Sequence, residues 1–329
     1  MESWQDIQKE IAEAGPKITT PGVSPHDYVR RQAYKDLVAR TGRPLIVYVS
    51  AFHVPGKGQF AGGMMSIDLA DKDGFQEVVR NVDGPAVDVF VHSPGGSAEA
   101  TESIVSIIRS RFSDIRFIVT GTAKSAATML VMSGNRILMS DAAELGPTDP
   151  QEIVGNARFS PAGAILDEFT RAKKEVSKNP SLIGPWLPIL QQFGPSLLVE
   201  CQNHIRLSET LVAGWLEQYM FKGEKTARKK AKKLSRYLAN DKNFLTHSRR
   251  VDRSSLSANG AYVDRVEDLP EEIYKAIVRL HLAVMKTLED TNAIKIFENS
   301  EGGVLIRQVQ AQIAIPPQLL RGAQSPPAQ

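Results

Sequence analysis

From Leu45 onward, short runs of branched apolar residues alternate with segments whose apolar positions recur at helical spacing. Leu45-Ile46-Val47-Tyr48-Val49 predicts a buried strand. Phe75, Val78, Val79 and Val82 then fall on one helical face after Asp73. Residues 87–91 predict the next strand, and Ile104, Val105, Ile107 and Ile108 mark the helix behind it. Residues 116–120 predict a third strand, residues 126–132 a helix of small residues, and residues 136–139 a fourth strand. Strands and helices alternating at this pace predict an α/β fold with a mostly parallel sheet and right-handed crossovers. Later the helical period dominates. A helix is expected from about Pro161 to Lys178, another through Ala227, Ala231, Leu234 and Leu238, and a last through Ile273, Ile277, Leu280, Val284 and Leu288. Pro270 suits the first turn of that last helix. Residues 1–43 read as a polar, partly helical leader, 44–300 as the main domain and 301–329 as a tail whose end, Ser325 to Gln329, is expected to be disordered.

Composition narrows the partners. Apolar residues make up 42% and charged residues 23% of the 329 residues, the balance of a soluble globular chain. No run of about eighteen apolar residues is present to span a membrane, and Pro185 to Val199 is broken by prolines and glutamines. The start, Met1 to Asp6, lacks a secretory pattern, so a soluble, cytoplasmic chain is expected. Cys201 is alone, which excludes an internal disulfide or a thiol metal cluster. A net charge of +3 does not argue for nucleic acid. The densest basic run, Arg228-Lys229-Lys230-Ala231-Lys232-Lys233, lies on one side of an amphipathic helix without interleaved aromatics, so no nucleic acid is expected there. The glycine-rich stretch from Gly56 to Gly63 fits no phosphate-binding spacing and reads as a flexible surface segment. No cofactor or metal is implied.

Two strand ends carry chemistry. His92-Ser93-Pro94-Gly95-Gly96-Ser97 follows one apolar run, and Gly121-Thr122-Ala123-Lys124-Ser125-Ala126-Ala127 follows the next. Acyl transfer needs an activated hydroxyl, a proton acceptor and donors for the developing oxyanion. Gly95 and Gly96 can leave amides unpaired and admit a substrate to the backbone. Ser125 stands at a helix start between small residues, with the Ala126 amide beside it. His92 is better suited to bracing the glycine turn than to acting as a base.

Ser93-Pro94-Gly95-Gly96, Gly121 to Ala126 and Leu145-Gly146-Pro147-Thr148-Asp149-Pro150-Gln151, in this order, resemble the Clp peptidase and signal peptide peptidase superfamily. The branch called serine dehydrogenase proteinases is the most similar, through Thr246-His247, Gly260 to Asp264 (a late strand and turn) and Ala293 to Asn299. The resemblance implies a crotonase-like fold of stacked ββα units, hydrolysis of peptides or unfolded proteins, and ring-shaped homo-oligomers. It implies Ser125 as nucleophile, with Gly96, Ser97 and Ala126 supplying oxyanion amides.

The base stays open. Clp peptidases place a histidine about 25 residues after the serine, but Thr148-Asp149-Pro150 fills that slot here. One substitute is a helix lysine, Lys173, Lys174 or Lys178, as in signal peptide peptidases; it would need a lowered pKa. The other is His247, oriented by Asp149, with the two roles exchanged between segments. Two further readings remain beside the peptidase: a crotonase-fold enzyme acting on acyl thioesters, and a catalytically inactive binding or scaffold subunit. No nucleotide motif is present, so any unfolding of substrates would fall to a partner.

Overall fold

Alternation along β1 (Leu45–Ser50) sends Leu45, Val47 and Val49 into one core and Ile46 and Tyr48 into another. The protein, described by a computed structural model over residues 2–155 and 158–309 (side chains of Gln59 and Phe60 excepted), is a sheet with helices on both faces. In chain order the first part comprises α1 (Trp4–Ala12), α2 (Pro25–Thr41), β1, α3 (Pro55–Ala61), α4 (Asp71–Val79), β2 (Ala86–His92), α5 (Ala98–Arg111), β3 (Asp114–Val119), β4 (Thr122–Ala123) and α6 (Ala126–Met132). There follow β5 (Arg136–Met139), β6 (Glu144–Leu145), the hairpin β7 (Gln151–Val154) and β8 (Arg158–Pro161), and α7 (Ala162–Lys178). The chain continues with α8 (Ile183–Leu190), α9 (Leu197–Trp215), α10 (Ala227–Ala239), α11 (Arg253–Ala258), β9 (Val263–Arg265), α12 (Glu271–Asp290), β10 (Ala293–Asn299) and β11 (Val304–Gln308).

The seven-stranded sheet runs β11-β10-β1-β2-β3-β5-β9. β1, β2, β3, β5 and β9 are parallel, as the alternation predicts. Pairing Phe90 with Ile118 sets the carboxyl ends of β2 and β3 side by side, so the two glycine- and serine-bearing junctions are neighbours. Past those ends the backbone keeps pairing in short steps: Ile67 with Gly96, Ser93 with Ala123, β4 with β6, and Leu145 with Val251. This second tier holds the junction backbones rigid.

Several expectations change. Residues 293–299 form β10, which runs antiparallel to β1, and β11 adds a second antiparallel strand at that edge. β11 falls in the segment expected as tail, whereas Ser325 to Gln329 lies outside the described residues. The expected leader supplies Val29, Ala33, Tyr34 and Leu37 to the core shared with α12. The stretch from Gly56 to Gly63 is helical, started by Pro55, with the Lys57 ammonium donating to the Ala293 carbonyl at 2.7 Å. Among the described residues no helix is long and apolar enough to cross a membrane.

Candidate active site

β4 ends at Ala123 and α6 begins at Ala126, so the chain must turn within two residues. Ser125 makes the turn at φ 52° and ψ −121°. A side chain at such positive φ costs on the order of 1–3 kcal/mol and persists only where its surroundings enforce it. The enforcement is visible: the buried Thr128 hydroxyl donates to the Ala123 carbonyl at 2.7 Å and accepts the Gly146 amide at 2.9 Å. A serine at a helix start ordinarily accepts an amide of the first turn. Ser125 makes no such bond, which leaves its hydroxyl uncommitted.

The glycine loop lies against this turn. Gly95 and Gly96 sit at φ 96° and 152°. A Cβ on Gly95 would come within 2.7 Å of Ser125 Cβ and 2.9 Å of the Ala126 nitrogen; one on Gly96 would meet the Ile67 nitrogen at 2.5 Å. Only glycine permits both the dihedrals and the approach. The amides divide sharply. Gly95 N–H donates to Ser93 Oγ at 3.2 Å, and Ser97 N–H to the Ile67 carbonyl at 2.9 Å. Among the described residues, the amides of Gly96 and Ala126 have no partner. Ser97, expected as a donor to an oxyanion, is therefore corrected. Its amide is spent on Ile67, and its hydroxyl caps α5 by accepting the Ala100 amide at 3.0 Å. Gly95 likewise offers no free amide.

His247 and Asp149, 98 residues apart in sequence, meet: His247 Nδ1 lies 2.8 Å from Asp149 Oδ1. The carboxylate is buried and its other oxygen accepts the Gln151 amide at 2.7 Å. With Nδ1 donating to Asp149, the lone pair of His247 is on Nε2. His247 lies in a turn rather than on the expected late strand. The loop carrying it is tied to the serine turn by Lys124, whose ammonium donates to the Ser248 carbonyl at 2.7 Å and pairs with Glu144 at 3.2 Å. Lys173, Lys174 and Lys178 are instead exposed on α7 and absent from the cavity that holds Ser125. Outside the cavity, none of the three is placed to take a proton from Ser125, so the geometry favours His247 over the helix lysines.

His92, a candidate for contacting substrate or bracing the glycine turn, does not contact substrate. It is buried and does not line the cavity. Its Nδ1 accepts the Thr122 amide at 3.2 Å, its Nε2 lies 3.1 Å from His53 Nδ1, and its ring stacks on Phe52 at 4.8 Å. Burial, with His53 and His281 alongside, pushes its pKa down to about 3, so the ring is neutral and braces β4 behind Ser125.

Gly95, Gly96, Ser97, Ser125, Ala126, Asp149 and His247 line one cavity of about 590 Å³. Three further residues on its wall escaped the sequence reading. His204 on α9 lies 2.6 Å from Glu152, a second histidine–carboxylate pair, but more exposed than the first. The buried Thr148 hydroxyl has no partner among the described residues. Phe159, on β8, is 66% exposed at the cavity wall, which makes it available to an apolar substrate group. No spacing signal marks them, because helix and hairpin packing brings them there. Among the described residues no cluster of histidine, cysteine and carboxylate groups could hold a metal ion.

Residues 64–184 match the family model of ClpP-like SDH-type serine proteinases. That segment, which contains both junctions and Asp149 and stops short of His247, is of the Clp-like peptidase superfamily in its serine dehydrogenase proteinase branch. Two uncharacterized proteins of Methanocaldococcus jannaschii are similar. One is 26% identical over 188 residues, covering 57% of this chain and 56% of its own length. The other is 31% identical over 91 residues, 28% of this chain and 30% of its own. The chain thus spans about half of the first relative and less than a third of the second.

Proposed function

We propose that the chain is a serine peptidase that cleaves peptides or unfolded proteins through an acyl-enzyme on Ser125. The observation that carries this reading is the strained, uncapped Ser125 beside two unpartnered amides, in the cavity that also holds the His247–Asp149 pair. Ser125 Oγ attacks the scissile carbonyl carbon while His247 Nε2 takes its proton. The oxyanion that forms is met by the amides of Gly96 and Ala126. Collapse breaks the C–N bond, and the His247 imidazolium protonates the departing amine. Water then attacks the ester with its proton going to His247, the carboxylic acid leaves, and Ser125 recovers its proton. Asp149 holds the imidazole in its tautomer and orientation. No cofactor enters these steps.

The second tier of short backbone pairs supports the crotonase-like form of the fold, and the family match supports a ring-shaped homo-oligomer. A fluorophosphonate probe tests the chemistry. Labelling is expected on Ser125 of the wild type, lost in Ser125→Ala and strongly slowed in His247→Ala. Labelling that persists in Ser125→Ala overturns the nucleophile.

A further inference from the structure

Lys295 is fully buried on β10 and does not line the cavity. Its ammonium makes three short contacts: Asp71 Oδ1 at 2.7 Å, Asp71 Oδ2 at 2.8 Å and the Ser66 carbonyl at 2.6 Å. A buried lysine needs a carboxylate, but nothing in charge balance requires a bond to the backbone of residue 66. That bond fixes the peptide entering Ile67. Ile67 N–H donates to the Gly95 carbonyl at 2.7 Å, and its own carbonyl accepts the Ser97 amide at 2.9 Å. Those two bonds flank Gly96 and turn its free amide away from Ile67. The other end of the loop is held through the same carboxylate. Tyr48 O–H donates to Asp71 Oδ2 at 2.9 Å, Ser93 lies against the Tyr48 hydroxyl, and Ser93 Oγ accepts the Gly95 amide.

We infer that Lys295, with Asp71 and Tyr48, is a positioning residue that holds the Gly95–Gly96 loop from both sides and so aims the Gly96 amide at the reacting carbonyl. The aim rests on the proposed peptidase reading; the anchoring of the loop does not. A loop held at positive φ relaxes once its anchors are cut, and a displacement near 1 Å can cost about a hundredfold in rate.

Two variants of the full chain test it. Tyr48→Phe removes one hydroxyl, and the double variant Lys295→Met with Asp71→Leu removes both charges together, so that neither is left buried and unpaired. Hydrogen exchange is expected to quicken at the Gly95 and Ser97 amides, read by mass spectrometry. The fluorophosphonate labelling rate and kcat on a peptide substrate are expected to fall about tenfold or more, with KM little changed and the melting temperature held. Unchanged exchange in both variants overturns the anchoring, whatever the enzyme does. Quickened exchange with wild-type labelling and kcat overturns the aiming. If the double variant does not fold, Tyr48→Phe alone decides. A wild type that takes no label defeats the peptidase reading instead and leaves the exchange result to judge the anchor.

Discussion

Two serines begin helices on either side of one cavity and spend their hydroxyls differently. Ser97 caps α5, while Ser125 caps nothing and sits at a φ that serine rarely adopts. Opposite outcomes follow. Ser97→Ala is expected to lower stability by about 1 kcal/mol, read from the urea midpoint, without a comparable loss of probe labelling. Ser125→Ala is expected to leave that midpoint within about 0.5 kcal/mol and to reduce kcat by at least roughly a thousandfold. Asp149→Asn should cost about as much as Ser125→Ala, because the asparagine would present the wrong group to His247 Nδ1. His204→Ala separates the two histidines: it is expected to raise KM and spare kcat, since His204 is the more exposed and its partner Glu152 is less buried than Asp149. A kcat loss for His204→Ala equal to that for His247→Ala would move the base to α9.

At the scale of elements, β10 shows why part of the fold was hidden in the sequence. Alternation puts Lys295, Phe297 and Asn299 toward α4 and Ile294, Ile296 and Glu298 toward α2 and α12. Its buried polar residues are all partnered: Glu298 accepts from Arg30 at 2.8 Å, Arg31 at 2.7 Å and the Tyr34 hydroxyl at 3.0 Å. Arg30→Met removes one partner of a buried ion pair and is expected to cost about 3 kcal/mol in the urea midpoint. Polar residues in a buried strand break the apolar run by which β1, β2, β3 and β5 were legible, and two-residue strands such as β4 and β6 have no period to read. The site divides similarly. Ser125, Gly96 and Ala126 were legible because they sit where apolar runs end. His247 with Asp149 was legible only through resemblance, and the helix lysines were disfavoured only once their place outside the cavity was known. Lys124 and His204 act through contacts to residues distant in sequence, which no local pattern records.

At the scale of the whole molecule, three histidines meet where the segment after β1, the end of β2 and α12 converge. His92 and His53 are 3.1 Å apart, and His281 Nδ1 lies 2.9 Å from the Thr120 hydroxyl. Burial pushes His92 down to about 3 and His281 to about 4, and it lowers His53 as well despite Glu289 nearby. In the unfolded chain the same rings take up protons near 6.5. Below that pH the unfolded state therefore binds protons that the fold refuses, and stability is lost as pH falls; above it the contribution is fully present. The loss continues toward pH 4 for His281 and pH 3 for His92, at up to about 1.4 kcal/mol per pH unit for each ring. Carboxylates held below their usual range, such as Asp27 and Asp252, add their own loss only below about pH 4.5, and Asp71 and Asp241, raised by burial, act in the opposite sense, so a fall between pH 6.5 and 4.5 is carried by the histidines. Urea midpoints at pH 7, 6 and 5 should fall progressively, and His92→Gln should flatten the slope by about one proton. In the folded protein His92 keeps its bond from the Thr122 amide through that window, because the buried ring takes up a proton only near pH 3. An equal midpoint at pH 7 and pH 5 would refute the histidine contribution.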